Sequence, residues 1–257
     1  MPDEPVLTER RDGVLLITLN RPQARNAVNL ALAEGVAAAL DELDADGELA
    51  VGVITGAGAG FCAGMDLKAF VTGERPWVGD RGFAGIVQRA ARKPLIAAIE
   101  GFAVAGGLDV ALACDLIVAA REAKLGIPEV KRSLVAAGGA LMRLPRRLPY
   151  GIAMELALTG DTITAERGYD LGLVNRLAER GGAVDAALEL AAAIAANGPL
   201  ALDATKAILQ QQFDWSEQEF WQRQGELSGP VFTSEDAREG AVAFSEKRDP
   251  VWQRRQV

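Results

Sequence analysis

The sequence predicts an α/β protein with a largely parallel sheet, followed by a helical C-terminal portion. Up to about Tyr150, short apolar runs alternate with stretches of helical periodicity, and glycine-rich loops connect them. Repeated strand-then-helix units of this kind are typical of a parallel sheet. Beyond Tyr150 the strand-like runs nearly disappear and amphipathic helices follow one another. The 257 residues are ample to bury a core.

The first elements are defined by β-branched runs and by their boundary residues. Val14–Leu19 alternates as a strand does, and Arg21-Pro22 ends it. Asn29 can N-cap a helix that runs to about Asp46, since asparagine accepts hydrogen bonds from a free first turn. Val51–Thr55 reads as a short, fully buried strand that leads into a glycine loop.

The next elements repeat this order. Pro94–Ile99 is predicted as a strand, Gly106 to Ala113 as a helix, and Leu116–Ala119 as a third buried strand. The C-terminal helices are predicted over Ile152–Thr159, Ala165–Leu171, Val184–Ala196, Leu200–Gln212 and, from a capping box at Thr233–Asp236, to about Glu246.

Composition excludes several classes of chemistry. The chain has no histidine, which removes Ser-His-Asp and Cys-His nucleophile systems, His-containing zinc sites and the commonest general base. Two cysteines, Cys62 and Cys114, have apolar neighbours and no metal-ligand spacing, so we expect buried, reduced thiols. Proton transfer is therefore expected to depend on carboxylates.

Charge and hydropathy limit the partners. A net charge of -8 predicts no nucleic-acid partner, which would require a basic surface. Acidic residues interrupt the apolar stretches too soon for a membrane span, and the charged N-terminus shows no signal peptide. We therefore expect a cytoplasmic protein that does not bind membranes.

Two glycine-rich segments carry the chemical information. One is Gly60–Asp66, and the other runs from Gly101 through Gly106 to Glu129. Each places glycines where a strand leads into a helix, so that backbone N–H groups stay free to hold an anion. The second segment adds two carboxylates, Asp109 and Glu129, twenty residues apart. Donor loops beside an acid pair are suited to stabilising an oxyanion while a proton moves.

Six motifs occur in a fixed order along the chain. They are Asn20–Pro22 with Asn26-Ala27, Gly56–Gly58 through Phe61–Leu67, Gly101–Glu129 with Ala113–Asp115, Leu144-Pro145, Leu171–Asn175 and Phe244–Arg248. With these motifs the chain resembles the crotonase superfamily, the enoyl-CoA hydratase/isomerase group, over essentially its whole length. The resemblance implies a crotonase-like spiral of ββα units over residues 1–195, which carries an acyl-CoA site, and a helical C-terminal trimerisation region over residues 196–257.

The resemblance also implies which residues contact an acyl-CoA thioester. The backbone N–H groups of Met65 and Gly106 would form the oxyanion hole, and Glu129 and Asp109 would be the catalytic acid/base pair. The residues implied for binding the substrate and its CoA portion are Ala24, Arg25, Ala27, Ala63, Asp66, Leu67, Lys68, Gly107, Phe244 and Lys247. Arg25 is a plausible phosphate partner because a guanidinium can hold phosphate oxygens in a bidentate manner. No metal or separate cofactor is implied, since coenzyme A is part of the substrate.

Position 109 departs from the hydratase pattern, which has glutamate there. Aspartate is one methylene shorter, so its carboxylate withdraws by up to about 1.5 Å, and misplacement on the order of 1 Å can cost about a hundredfold in rate. The first expectation is an enoyl-CoA hydratase that uses Glu129 and Asp109. A Δ3-Δ2 enoyl-CoA isomerase that uses Glu129 alone stays open. A dienoyl-CoA isomerase is less favoured, because Ala137 stands where a third acid is expected.

Two further classes also stay open: a non-catalytic acyl-CoA-binding protein, which needs only the two loops, and a CoA-thioester hydrolase. The C-terminal segment from Trp215 to Phe232 is rich in aromatic residues. Together with the last helix it predicts a homotrimer or a dimer of trimers. Trp77 and Phe83, in the stretch from Gly73 to Gly85, are expected in a mobile wall of the acyl pocket.

Overall fold

The computed structural model describes residues 4–253. Within this range the strands are β1 Val6–Arg11, β2 Val14–Leu19, β3 Val51–Gly56, β4 Trp77–Val78, β5 Gly82–Phe83, β6 Leu95–Ile99, β7 Phe102–Val104, β8 Leu116–Ala120, β9 Lys124–Gly126, β10 Thr162–Thr164 and β11 Arg176–Ala178. The α-helices in the same range are α1 Leu30–Ala45, α2 Leu67–Val71, α3 Gly106–Ala113, α4 Ala140–Arg147, α5 Tyr150–Thr159, α6 Ala165–Asp170, α7 Ala183–Ala195, α8 Pro199–Gln211, α9 Glu217–Phe232 and α10 Glu235–Glu246.

The main sheet has the strand order β1-β2-β3-β6-β8-β11. Strand β1 pairs antiparallel with β2, and every other neighbouring pair in this order is parallel. Successive side chains of a strand point to opposite faces, and both faces are covered here. In β2, Leu15 and Ile17 face a large core with α1 and α3, whereas Val14 and Leu16 face a smaller one with α7.

A second sheet, in the order β10-β9-β7, positions the segment that carries Glu129. Strand β7 lies parallel to β9, with Val104 opposite Gly126. A 3-10 helix over Pro128–Arg132 follows β9 directly, and its first residue is proline, whose fixed φ suits that position. The chain therefore brings Glu129 to the same end of the sheet as the turn that follows β7.

The predicted strands are confirmed to within a residue at each end. The Asn29 cap is also confirmed, since its Oδ1 accepts from the Leu32 N–H at 3.1 Å. The predicted capping box at Thr233–Asp236 is wrong: Ser234 is the N-cap of α10 and accepts from Ala237. The capping box of this region lies instead at Ser216 with Glu219, ahead of α9. The sequence did not predict α2, α4, α9, β1, β11 or the short strands outside the main sheet. Strands of two or three residues carry too few positions to show a periodicity.

The C-terminal helices are less buried than the rest of the chain. No residue of α9 is buried, and Trp221 and Phe232 are 64% and 80% exposed. The Trp252 indole N–H donates to the Ala196 carbonyl at 2.8 Å, which ties the end of the described chain to the helix junction after α7. The predicted division of function at residue 195 falls at the end of α7 and stays a prediction.

Over residues 4–253, no single helix combines the length and the hydropathy needed to cross a bilayer. One pair, Ala183–Ala195 with Pro199–Asp214, meets these two criteria only when taken together, and a bend of 109° separates its members.

Candidate active site

The two predicted donor loops lie against each other. Gly64 has φ +94, which favours glycine, and a Cβ added to it would lie 2.9 Å from the Gly106 nitrogen. Backbone hydrogen bonds join the loops on both sides of this contact, from Val104 N–H to the Cys62 carbonyl at 3.1 Å and from Cys62 N–H to the Phe102 carbonyl at 3.2 Å. The structure thus brings together two segments that are far apart in sequence.

Met65 and Gly106 each contribute a free donor at this contact. Among the described residues, neither N–H donates to a backbone or side-chain acceptor, whereas their neighbours Asp66 and Ala105 donate to Val28 and Gly126 carbonyls at 2.9 Å. Gly106 is the first residue of α3, where the helix dipole favours an anion. Two free donors meet where the sequence predicted an oxyanion hole, and that role stays a prediction.

Ala105 holds a conformation that alanine rarely adopts. Its φ is 53° and its ψ is -132°, and such a residue costs of the order of 1–3 kcal/mol. Strained residues cluster at functional sites, because the rest of the fold must hold them. Here the strained residue immediately precedes the Gly106 donor and turns the chain from β7 into α3.

Gly107 and Phe83 pack closely around the second loop. A Cβ on Gly107 would lie 2.1 Å from the Cys62 carbonyl oxygen, so this glycine permits the close approach of the loops. The Phe83 ring lies over Gly106 and meets Trp77 edge-on, with ring centroids 5.3 Å apart. Trp77 and Phe83 thus lie on a short β4–β5 hairpin beside Gly106, and their part in a mobile wall of the acyl pocket stays a prediction.

Glu129 is half-buried at the start of its 3-10 helix. Burial raises the pKa of its carboxyl group, against the effect of its own backbone N–H. Its Oε2 is buried and has no hydrogen-bond partner among the described residues. An orphaned buried carboxylate oxygen costs free energy, and such groups mark sites where a ligand or substrate supplies the partner.

Asp109 lies one turn after Gly106 on α3 and is 2% exposed. Burial raises the pKa of its carboxyl group to about 6, and the charge of Glu129 acts in the same direction, whereas the Ala140 N–H and Arg143 act against it. The Ala140 N–H donates to Asp109 Oδ1 at 2.7 Å. Two acids with raised pKa values, one of which acts on the other, are typical of proton-transfer sites.

The space around Asp109 is filled. A Cβ on Gly138 would lie 2.5 Å from the Asp109 Cγ and Oδ2, so the carboxylate rests directly on the Gly138 backbone. A glutamate at position 109 would need the 138–140 segment to move. The departure seen in the sequence therefore has a structural counterpart in this close packing.

The predicted CoA loop is held by Asn26, which is fully buried at φ 55°. Its Nδ2 donates to the carbonyls of Ala57 and Gly60 at 2.9 Å, and its own carbonyl accepts from the Cys62 thiol at 3.1 Å. Arg25, beside it, is exposed. The Arg25 side chain makes no ion pair or hydrogen bond within residues 4–253, so it is available for a phosphate. Its neighbours Ala24 and Ala27 are half-buried on the same loop.

Asp66 is committed to the fold. Its Oδ2 accepts from both terminal nitrogens of Arg21 at 3.0 Å, and its Oδ1 caps α2 by accepting from Lys68 and Ala69. Although burial opposes it, these hydrogen bonds hold the pKa of Asp66 below its usual value. A predicted contact of Asp66 with substrate would therefore use its backbone. Ala63 is half-buried ahead of this cap, and Leu67 and Lys68 are exposed after it.

The predicted partners at the C-terminus lie on α10 and at its end. Phe244 is 87% exposed, and Lys247 is exposed at the end of α10 in a left-handed conformation. In the described part of the chain, no hydrogen bond or ion pair connects either side chain to the two donor loops. Their predicted contact with substrate stays untested within one subunit.

Two other sequence predictions concern thiols and metals. Cys62 and Cys114 are free and buried, as predicted, and burial raises the pKa of each thiol to about 12. In the range 4–253, no group of three or more His, Cys, Asp or Glu side chains is placed to hold a metal ion.

Sequence reasoning missed Ala105 and Arg143. A positive φ at alanine has no signature in composition. The effect of Arg143 on the pKa of Asp109 depends on a contact between α3 and α4, which no local pattern contains.

The chain is similar to known proteins over nearly its whole length. The family model described as Enoyl-CoA hydratase/isomerase matches residues 9–255. Enoyl-CoA hydratase EchA19 of Mycobacterium tuberculosis is 42% identical and covers 97% of this chain and 96% of its own length. Carnitinyl-CoA dehydratase of Salmonella enteritidis is 41% identical over 96% of this chain and 97% of its own.

Two solved structures resemble the fold of this chain over nearly its whole length. An enoyl-CoA hydratase from Mycobacterium tuberculosis H37Rv has a TM-score of 0.96 at 57% identity, covering 98% of this chain and 100% of its own. A carnitinyl-CoA hydratase from Mycobacterium avium has a TM-score of 0.79 at 43% identity, covering 98% of this chain and 99% of its own. The predicted α/β fold with its spiral of ββα units is confirmed.

Proposed function

This chain belongs to the enoyl-CoA hydratase/isomerase family, the crotonase superfamily, and on that premise we propose that it adds water to a 2-enoyl-CoA thioester. It is an enzyme of the hydro-lyase type, in line with relatives named as an enoyl-CoA hydratase and carnitinyl-CoA dehydratases. The observation that carries the proposal is the unpartnered buried oxygen of Glu129 beside an oxyanion hole.

In the proposed reaction the thioester oxygen lies between the N–H groups of Met65 and Gly106. Glu129 and Asp109 hold a water molecule. A carboxylate takes a proton from the water as the water oxygen bonds to C3, and the double-bond electrons move onto the thioester oxygen. The resulting enolate then collapses, and a proton passes from a carboxyl group to C2. Donors aimed at the forming oxyanion stabilise that intermediate by a few kcal/mol each.

The CoA portion lies along the 24–27 loop and the 63–68 segment. Arg25 and Lys68 are exposed cations on these two segments, and neither side chain makes an ion pair among the described residues. Both are therefore free to bind phosphate. Lys247 and Phe244 are exposed at the end of α10, and their contact with CoA rests on the family resemblance alone.

A Δ3-Δ2 isomerase that uses Glu129 alone is the second candidate. The observation that favours it is the fixed position of Asp109, whose Oδ1 already accepts from Ala140. A single carboxylate is sufficient for moving one proton between two carbons, whereas hydration also has to orient water.

The test is an assay of the purified chain with a panel of acyl-CoA thioesters, followed for hydration, double-bond isomerisation and release of free thiol. We expect hydration of a 2-enoyl-CoA, and dehydration of the corresponding 3-hydroxyacyl-CoA as its reverse. Isomerisation without hydration would favour the second candidate. Thiol release would indicate a hydrolase, and binding without any turnover would indicate a binding protein.

We also propose that the C-terminal helices mediate a homotrimer or a dimer of trimers. The support is α9, which buries no residue and exposes Trp221 and Phe232. Large exposed aromatic side chains on a helix that buries none of its residues are typical of an interface. Sedimentation velocity at micromolar concentration should give a trimer or hexamer. The double substitution Trp221→Glu with Phe232→Glu should dissociate it, and a stable monomer of the unmodified chain would contradict the proposal.

A further inference from the structure

Helix α4 presents two partly buried arginines to α3, the helix that carries Gly106 and Asp109. Arg143 and Arg147 are four residues apart, so they lie on one face of α4. Neither forms an ion pair with a carboxylate among the described residues. Arginines held away from water without a paired acid are unusual, because burial of an unpaired cation is costly. Their positions therefore call for an explanation.

Arg147 is accounted for by the helix end. Its Nη2 donates to the carbonyls of Leu112 at 3.0 Å and Cys114 at 2.8 Å, the last acceptors of α3. A cation at this end satisfies free carbonyls and complements the helix dipole. Arg147 thus fixes the far end of α3, away from Asp109.

Arg143 lies on the side of α4 that is nearer to Asp109. Its Nη2 donates to the Val87 carbonyl at 2.5 Å, and its Nη1 donates to the Gly138 carbonyl at 3.4 Å. Gly138 is the residue on which the Asp109 carboxylate rests. The guanidinium therefore lies across one residue of backbone from the carboxylate, and it braces the segment that ends in the Ala140 N–H donor.

We propose that Arg143 is a positioning residue that keeps the Asp109 carboxylate charged and in place, acting across the Gly138–Ala140 backbone. The inference rests on the proposed function, because it concerns the acid/base pair of that reaction. Through Val87 the same side chain also joins this brace to the segment that follows the β4–β5 hairpin over the oxyanion hole.

The charged groups that face Asp109 are few. Glu129, on its 3-10 helix, raises the pKa of Asp109, and Arg143, on α4, lowers it. Strands β7 and β8 also pack against α3 and contain no ionisable residue. Of these groups Arg143 supplies the positive charge that offsets burial and the repulsion from Glu129.

The test compares two substitutions of similar size that differ in charge. Arg143→Gln keeps a donor and loses the charge, whereas Arg143→Lys keeps the charge. In Arg143→Gln the acid limb of the kcat profile should move to higher pH by on the order of one unit. Activity lost near pH 7 should then recover near pH 9. In Arg143→Lys the limb should stay near that of the unmodified enzyme.

Arg147→Gln is the matched control, since it also removes a partly buried cation from the same face of α4. It should leave the acid limb in place, even if the protein melts at a lower temperature. If Arg143→Gln does not fold, Arg143→Met replaces it as the neutral variant. The proposal would be overturned if the acid limb of Arg143→Gln lay at the same pH as that of the unmodified enzyme. It would also be overturned if Arg143→Lys shifted the acid limb as far as Arg143→Gln does.

A second measurement does not depend on turnover. The Asp109 carboxyl carbon is followed by NMR in protein labelled with carbon-13 at aspartate, and the Asp109→Asn variant assigns its resonance. The pH midpoint of the Asp109 titration should rise in Arg143→Gln and should not rise in Arg147→Gln. A rise in a protein that does not hydrate enoyl-CoA would support the role of Arg143 while the proposed function fails. An unchanged midpoint would refute the role of Arg143 alone.

Discussion

Two groups of buried and half-buried charges lie at opposite ends of the main sheet and are built differently. The active-site loops follow the carboxyl ends of β3 and β6. At the amino ends of β6 and β8 lies a second group, the amino-end cluster, made of Lys93, Asp115 and Lys206. Both groups place ionisable side chains away from water, so both are costly unless the charges find partners.

The amino-end cluster has its partners. Lys93 Nζ donates to the carbonyls of Asp46 at 2.5 Å and Leu49 at 2.7 Å. Lys206 Nζ donates to the Lys93 carbonyl at 2.7 Å and lies 2.6 Å from Asp115 Oδ2. These contacts fasten α8 to the ends of two strands.

The candidate active site contains polar groups that have no hydrogen-bond partner among the described residues. Glu129 Oε2 has none among the described residues, and the Met65 and Gly106 donors are equally free there. A fully paired cluster stabilises the fold, whereas an incompletely paired one costs stability and can bind. In these two groups, the presence of polar atoms without hydrogen-bond partners distinguishes the binding site from the structural cluster. Burial and charge do not distinguish them.

The largest expected effect is on turnover at the incompletely paired group. Glu129→Gln keeps the shape of the side chain and removes its ionisation, so hydration should fall by about 10²–10⁴-fold. Binding of acyl-CoA, measured by calorimetry, should remain close to that of the unmodified protein. Glu34→Gln, on an exposed position of α1, is the control and should keep full activity. A Glu129→Gln rate above about a tenth of the original would show that another group is the principal acid/base.

The next effect concerns stability at the paired group. Lys206→Met leaves Asp115 without its cation, and breaking a largely buried pair of this kind should cost about 3 kcal/mol of unfolding free energy. The activity per folded molecule should be retained. The comparison is Lys131→Met, which removes an exposed pair with Asp161 at the same 2.6 Å and should change the denaturation midpoint little. If both variants lost the same unfolding free energy, the amino-end cluster would stabilise the fold no more than an exposed ion pair does.

The smallest effect has a pH dependence that distinguishes the two groups. The folded pKa of Asp109 is about 6, above its ordinary 3.8, so its ionisation makes folding less favourable as pH rises through that window. Asp109→Asn should therefore gain about 1–3 kcal/mol of stability over the unmodified protein above pH ~6, and nothing below pH ~4. Chemical denaturation across this range measures it.

The same variant also tests the mechanism. Asp109→Asn should lower hydration if Asp109 holds the water. Unchanged hydration together with unchanged isomerisation would show that Glu129 acts alone and would favour the isomerase assignment. A stability difference that does not vary with pH would mean that folding does not shift the pKa of Asp109 from its unfolded value.

Much of the fold was readable from the sequence. Strands β2, β3 and β6 are apolar runs that begin or end at glycine or proline, and Asn29 marks the start of α1, so local physics is sufficient for them. The short strands β7, β9 and β10 were not readable. They exist because neighbouring segments supply their hydrogen bonds, and three residues have no period of their own.

The sequence by itself determined the chemistry available to this protein. The absence of histidine left carboxylates as the proton carriers, and the glycine loops and the motifs around Asp109 and Glu129 indicated an oxyanion hole beside an acid pair. Only the tertiary structure decided which of these groups lack partners. It left Glu129 Oε2 unpaired, gave Asp109 a donor from Ala140, and placed Arg143 behind that donor. The reason is physical: hydrogen-bond satisfaction and electrostatic shifts depend on distances between segments that are remote in the chain, and no local pattern contains those distances.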